Sequence, residues 1–274
     1  MDLALLLTVG IVMAPSLEGS RMGDRASDST HGQPCCPILE LRQYTLHPGK
    51  RDVLIELFDR EFVESQEAEG MQIVGQFRDL GDPNRFVWLR GFRDMPTRAK
   101  ALTAFYGGPV WKAHRQAANE TMVDCDNVLL LRPAREGSGF SLGSAERPSR
   151  GALAPTGGLV IATIYDLEAG AKGDFVDFFE GRLEPALSDA GASIVGYFVT
   201  EPSANTYPAL PVREGENVFV WFSRFRDQAA YERYIAALAG SPRWGGDVAK
   251  DLARRLKGHP ETLKLSPTGR SRLR

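Results

Sequence analysis

The sequence predicts an α+β chain built from two copies of one β-α-β-β-α-β unit, and three observations predict it. Residues 38–77 align without a gap on residues 159–198, and residues 86–111 on residues 219–244. The same landmarks return in both copies: Tyr44 and Tyr165, Phe58 and Phe179, Gly70 and Gly191, Ile-Val-Gly at 73–75 and 194–196, Phe-Val-Trp at 86–88 and 219–221. Within each copy, apolar residues alternate over short runs and then recur at helical spacing, the two periods that separate strand from helix. An internal repeat sets the architecture before any motif is read.

In the first copy, Ile38–Leu46 reads as a strand, with Leu39, Leu41 and Gln43 on one face and Ile38, Glu40, Arg42 and Tyr44 on the other. One face is dry and the other mixed. His47-Pro48-Gly49 breaks the strand. Val53, Leu54, Leu57, Phe58 and Phe62 then recur at helical spacing, and Gly70 supplies a C-terminal stop. Residues 71–80 and 85–93 are predicted strands joined by a turn over 81–84. Asp94 is the predicted N-cap of a helix to about Phe105, and a second helical piece is predicted over 110–123. A last strand is predicted over 127–132. This order is that of the ferredoxin-like split β-α-β unit. The second copy repeats it and adds an insertion over 202–216, whose Pro202, Pro208 and Pro211 mark a loop or arm.

A four-stranded sheet of this type has helices on one face only, so the other face must find cover. Two copies on one chain can cover each other, which predicts a barrel-like pseudo-dimer. The expected domains are 38–133 and 158–267. Residues 134–157, rich in Gly, Ser, Ala and Pro, read as a flexible linker with a reach of roughly 25–30 Å. Residues 1–37 read as a disordered or targeting extension. Leu3 to Ala14 is apolar, but no Lys or Arg precedes it, so a cytoplasmic location is expected and secretion by an N-terminal signal stays open. Residues 268–274, with Arg270, Arg272 and Arg274, read as a fraying tail.

A net charge of −2 gives no electrostatic footprint for nucleic acid. No apolar run is long enough to span a membrane. Three cysteines without paired spacing, two of them adjacent, give no disulfide framework and suit a reducing compartment. Phosphate-loop, dinucleotide, zinc-protease and nucleophile-elbow motifs are absent.

The run Glu40-Leu-Arg-Gln-Tyr-Thr-Leu-His-Pro-Gly-Lys50, with Ile73-Val-Gly75, Phe86-Val-Trp88 and Pro109-Val-Trp111, resembles the NIPSNAP domain of the dimeric α/β-barrel superfamily. The second copy follows the pattern less well, with Ala162-Thr-Ile-Tyr165 and Glu168-Ala-Gly170 at the matching places. The resemblance implies a barrel of two paired sheets. It carries no agreed catalytic motif; the superfamily includes cofactor-free oxygenases of phenolic substrates, haem enzymes and small-ligand binders. The expected function is small-molecule binding, with cofactor-independent monooxygenase-type activity as its enzymatic form and a non-catalytic scaffold or interaction module as the alternative.

Arg42 and Arg90 stand on strand faces shared with Tyr44 and Trp88, and their second-copy counterparts are Thr163 and Ser223. The fold therefore does not need these charges, and an arginine beside aromatic rings suits a carboxylate or phenolate. Arg42, Tyr44 and Trp88 are the candidate ligand-binding residues. Arg90 and His114 are the candidate catalytic residues, His114 as a general base or, in a third reading, a haem ligand. Each also has a plain structural role open to it: a packed ring, an edge arginine, a solvated helix histidine. No cofactor or metal is expected. The expected ligand is a small aromatic or other small molecule, and a homodimer of the two-domain chain is left open.

Overall fold

The strands of the protein close into an eight-stranded barrel in the order β1-β3-β2-β8-β5-β7-β6-β4. The structure, a computed structural model, describes residues 35–143, 146–170 and 172–274. The expected targeting or disordered extension lies, up to residue 34, outside the described residues. The first half contributes β1 (Ile38–Leu46), α1 (Arg51–Leu57), a π-helical turn (Phe58–Phe62), α2 (Val63–Ala68), β2 (Gln72–Asp79), β3 (Arg85–Phe92), α3 (Met95–Gly107), α4 (Pro109–Asn119) and β4 (Met122–Pro133). The second half contributes β5 (Leu159–Asp166), α5 (Lys172–Phe178), a π-helical turn (Phe179–Leu183), α6 (Glu184–Asp189), β6 (Ser193–Thr200), β7 (Val218–Phe225), α7 (Gln228–Ala239), a segment kinked at Gly246 (Trp244–Val248), α8 (Ala249–Arg255) and β8 (Glu261–Pro267).

Local chemistry explains the breaks between elements. Asp94 and Asp227 cap α3 and α7, their side chains accepting from Thr97 N and Ala230 N. Gly70 and Gly191 follow the first helical run of each half at φ +87° and +110°, where a side chain would be strained. The Ile-Val-Gly triplets mark a register shift in β2 against β3 and in β6 against β7. A Cβ on Gly75 would stand 2.5 Å from the Phe77 ring, so the glycine lets that ring fold back under the bulge.

Both halves have the same strand order, and the barrel closes twice by the same pairing: β2 on β8 and β6 on β4. Its lumen is packed by side chains from both halves, among them Leu39, Leu41, Val87, Leu89, Val160, Val220 and Leu263. The face of β1 read as dry thus points inward. Gln43, on that face, is buried and makes no side-chain hydrogen bond. The mixed face of β1 lies under the helices, in a second core with Tyr44, Phe58, Phe62, Trp88 and Phe105. The second half has its own helix-side core around Tyr165, Phe179, Phe219 and Trp221.

Four expectations change. The described residues of the 134–157 segment are not a loose spacer: Phe140 is buried in the lumen against Phe198 and Phe222, and Ser138 O accepts from Tyr197 N. One aromatic anchor is enough to fix a Gly/Ser-rich segment to an apolar barrel end. The C-terminal tail does not fray. Leu273 N donates to Val74 O, Thr268 N to Gln76 O, and the buried Arg270 pairs with Glu64. Cys35 and Cys36 are joined in a vicinal disulfide, and Cys36 is buried at the same barrel end, where Cys35 N donates to Phe140 O. Residues 35–37 thus belong to the fold rather than to the extension. Finally, α4 ends at Asn119 and β4 starts at Met122, five residues before the predicted strand, because β1 extends far enough to pair with Asp124 and Met122.

No helix among the described residues is long and apolar enough to cross a membrane.

Candidate functional site

Alternation along β1 puts Glu40, Arg42 and Tyr44 on the helix side, and alternation along β3 puts Trp88 and Arg90 beside them. The register pairs Glu40 with Arg90 and Arg42 with Trp88. Helix α3 adds Arg98, and α2 adds Gln66. Glu40, Arg42, Arg90 and Arg98 are each 0% exposed. Glu40 Oε2 accepts from Arg42 Nη1 at 2.8 Å and from Arg90 Nη2 and Nε at 2.6 and 3.1 Å, while Oε1 accepts from Arg98 Nε at 2.7 Å. Arg90 Nη1 donates to Gln66 Oε1 at 2.9 Å, and Gln66 Nε2 to Phe62 O at 2.9 Å. Arg42 Nε donates to Tyr44 Oη at 3.0 Å.

Three guanidinium groups around one carboxylate leave two positive charges in excess, because arginine does not lose its proton in proteins. Burial by itself would raise the Glu40 carboxyl, but Arg90, Arg42 and Arg98 outweigh it and hold it well below the ordinary carboxylate range. Burial pushes Tyr44 up to about 12 against the pull of Arg42, so its phenol is neutral at ordinary pH. The rings of Trp88 and Tyr44 face the cations: Arg90 Cζ stands 4.9 Å from the Trp88 centroid, and Arg42 Cζ 5.5 and 5.4 Å from those of Trp88 and Tyr44. Even so, Arg42 Nη2 and Arg98 Nη2 are buried without a hydrogen bond.

Beside the cluster lies a cavity of about 30 Å³, room for one or two waters. Its walls include Tyr44, Trp88, Gln66 and Phe62, with the half-buried Tyr106 and Trp111 at its edge. A cover comes from the other half of the chain. The 202–216 insertion leaves β6 where that strand pairs with β4, and lies over the first half. Asn205 Oδ1 and Thr206 Oγ1 accept from Arg98 Nη1 at 3.0 and 3.2 Å, and Tyr207 stacks on Tyr106 at 5.8 Å. Arg213 N donates to Val128 O on β4.

The structure therefore brings Arg42, Tyr44, Trp88 and Arg90 together. It places His114 elsewhere, on α4, half-buried, with Nε2 3.5 Å from Glu61 Oε2 and its ring edge-on to Phe62. His114 is not on the cavity wall. Neither that placement nor a cavity of this size fits a haem. Among the described residues, no group of three or more His, Cys, Asp and Glu is placed to hold a metal ion.

Sequence reading missed Glu40, Gln66, Arg98 and the arm residues Asn205 and Thr206. A signal for the first three was present. By the same alignment that exposed Arg42 and Arg90, their second-half counterparts are Ile161, Leu187 and Tyr231, all buried in an apolar core. The whole cluster is thus a replacement of ordinary core by charge, in one half only.

Comparison with known proteins gives a family match for the first half and a likeness of fold for both. Residues 39–135, which hold every charged residue of the cluster, match the NIPSNAP family. The match is confined to the first half of the chain. A NIPSNAP family protein from Agrobacterium tumefaciens str. C58 is 20% identical, covering 45% of this chain and 99% of that one at a TM-score of 0.37. Two longer structures resemble both halves together. One is an anthrone oxidase-like protein, 12% identical over 84% of this chain and 91% of that one, with a TM-score of 0.53. The other, from Lactobacillus acidophilus NCFM, carries the name "putative monooxygenase" and is 11% identical over 85% and 94%, with a TM-score of 0.52. At these identities the likeness is one of fold alone. No curated protein matches the chain in sequence.

Proposed function

We propose that this protein binds a small molecule between the helices and the sheet of its NIPSNAP half, and that residues 38–133 and 158–267 are two ferredoxin-like domains fused as a pseudo-dimer, of which only the first carries a site. One observation carries the functional reading. Glu40, Arg42, Gln66, Arg90 and Arg98 occupy positions that the second half fills with Ile161, Thr163, Leu187, Ser223 and Tyr231. Apolar or small residues satisfy the fold there, and a buried charge cluster is no better for stability than a well-packed apolar core. A cluster kept in one half only is explained by use.

The names carried by the similar barrels favour monooxygenase-type chemistry as the enzymatic form of this reading; that it runs without a cofactor is carried over from the resemblance of the sequence. The side chains set a condition on it. Glu40 is locked in its ionised form and Tyr44 is neutral, so neither takes a proton from substrate at neutral pH. Such a reaction needs a substrate that ionises readily or arrives ionised. Arg42, with Tyr44 on its Nε, would then orient the substrate and stabilise its charge. A scaffold role would need an exposed contact such as the 202–216 arm, whose Asn205, Thr206, Tyr207 and Arg213 are instead engaged within the chain.

Native mass spectrometry of the purified protein tests the binding reading. A stoichiometric small-molecule mass that disappears in Trp88→Ala is the expected result. Protein without such a mass, and without uptake from a pool of aromatic metabolites, would overturn it. Oxygen consumption with phenolic substrates tests the enzymatic form.

A further inference from the structure

We infer that the ligand of this site is an organic oxyanion on a flat ring, an aromatic carboxylate or phenolate, taken up as the counter-charge to Arg42 and Arg98. The inference rests on the small-molecule reading above and names the class of molecule. Its first support is charge. Within the cluster three fully buried guanidinium groups meet one carboxylate, and an uncompensated buried charge is costly wherever no partner neutralises it.

The second support is the kind of hydrogen-bonding capacity left over. All three nitrogens of Arg90 are engaged, on Glu40 and Gln66. Arg42 and Arg98 each leave one terminal nitrogen without a partner, on side chains that no solvent reaches. Trp88 Nε1 is a third unpaired donor, although Trp221 in the second half shares that property. Every unpaired atom in this group donates. A ligand that complements it must accept, and an ionised oxygen accepts most strongly from a guanidinium.

The third support is shape. Most of the cavity lining is aromatic, with Tyr44, Phe62, Trp88, Phe105, Tyr106 and Trp111 among it; no arginine is on the wall, and Arg42 packs against the Tyr44 and Trp88 rings that are. The cavity of about 30 Å³ is smaller than a benzene ring. Entry therefore requires the outer rings to move, and these are the half-buried ones. Tyr106 and Trp111 pack on each other at 4.9 Å, and Tyr106 is held by Tyr207 of the arm. The arm also supplies acceptors to the site, since Asn205 Oδ1 and Thr206 Oγ1 accept from Arg98 Nη1 without changing its charge. Ligand oxygens and arm oxygens thus serve the same guanidinium.

The experiment compares matched probes by calorimetry and thermal shift on the full chain: benzoate against benzamide, and salicylate against salicylamide, at low salt. Binding of the carboxylates at least tenfold tighter than their amides is expected. The preference should vanish in Arg42→Gln and in Arg98→Met and persist in the surface control Arg243→Gln. Amides that bind as tightly as the acids would overturn the inference while leaving the small-molecule reading in place. Failure of every aromatic acid and phenolate to bind would also overturn it, and the native-mass result would then judge the broader reading by itself. A second readout does not depend on the probe. Removing an excess cation relieves repulsion, so Arg98→Met without ligand is expected to melt at or above the wild-type temperature. Melting far below it would show that the charge is already balanced, against the inference. Should a variant fail to fold, the acid-against-amide comparison on the wild type decides.

Discussion

Glu40 gathers three arginines with two oxygens, and none of the four side chains reaches water. Its removal is therefore far worse than the loss of one ion pair. Glu40→Gln leaves three buried guanidinium groups without a carboxylate and is expected to cost about 3–5 kcal/mol, measured by urea unfolding. Because the folded carboxyl lies below its ordinary value, the stability it contributes is in place above pH 4.5, the unfolded value, and fades only as pH falls through the folded one. Asp59 behaves in the opposite sense. Burial raises it to about 6 despite Arg270, Arg78 and Arg147, while its Oδ1 accepts from Gln76 Nε2 at 2.8 Å. The folded protein holds that proton more tightly than the unfolded chain, so stability on its account is full below 3.8 and declines as pH rises towards about 6. Asp59→Asn is expected to escape this decline. The stability gap between variant and wild type should widen in the variant's favour from acid to neutral pH, as read by urea curves at the two ends; a variant weaker at neutral pH would contradict it.

The arm over 202–216 is the element in which sequence and structure differ most in meaning. Its prolines announce a loop, and no property of the loop says where it lands. It lands on α3 because β6 closes the barrel against β4, which delivers residue 201 to the edge of the first half, where Glu201 N donates to Leu130 O. Thr206→Ala together with Asn205→Ala would leave Arg98 Nη1 without its acceptors. This is expected to cost about 1–3 kcal/mol and to raise protease cleavage within the arm. Unchanged cleavage would mean that the arm is held by Tyr207 and Arg213 alone. The π-helical turns at Phe58–Phe62 and Phe179–Leu183 are likewise silent in the sequence. The apolar spacing announces a helix, and only packing over the sheet shows where it widens. Most strands, by contrast, were legible to within a residue or two, because one face of each must be dry. Arg42, Arg90, Tyr44 and Trp88 were legible as a group for a related reason: two copies of one fold can be compared position by position, and charge in one copy only stands out. His114 stood out by the same contrast with Asp247, yet side-chain type alone could not place it beside Glu61 and Phe62 rather than on the cavity wall.

For the molecule as a whole, the lumen explains why the two halves stay together. Leu39, Leu41, Val87 and Leu89 of one half face Val160, Ala162, Val220 and Leu263 of the other. A chain limited to residues 35–133 would expose its share of that surface. It is expected to pair with itself into a symmetric barrel or to aggregate, and a stable monomer by light scattering would argue against the lumen as the bond between halves. The last residues act at the same scale. Leu273 is buried in the lumen cluster, Ser271 Oγ accepts from Gln76 N, and Arg270 ties Glu64 to the carbonyl of Asp59. Deleting residues 268–274 is expected to lower stability by about 2–3 kcal/mol, most of it from the Leu273 side chain, with the barrel retained. The sequence by itself determined the repeat, the period of each element and the identity of the residues that only one half carries, because these depend on order along the chain. Tertiary structure decided which face of each strand looks into the lumen, how Glu40 draws together three arginines from β1, β3 and α3, and which half the arm covers. Those outcomes depend on the closure of one half against the other, a contact between residues far apart in sequence that no local pattern encodes.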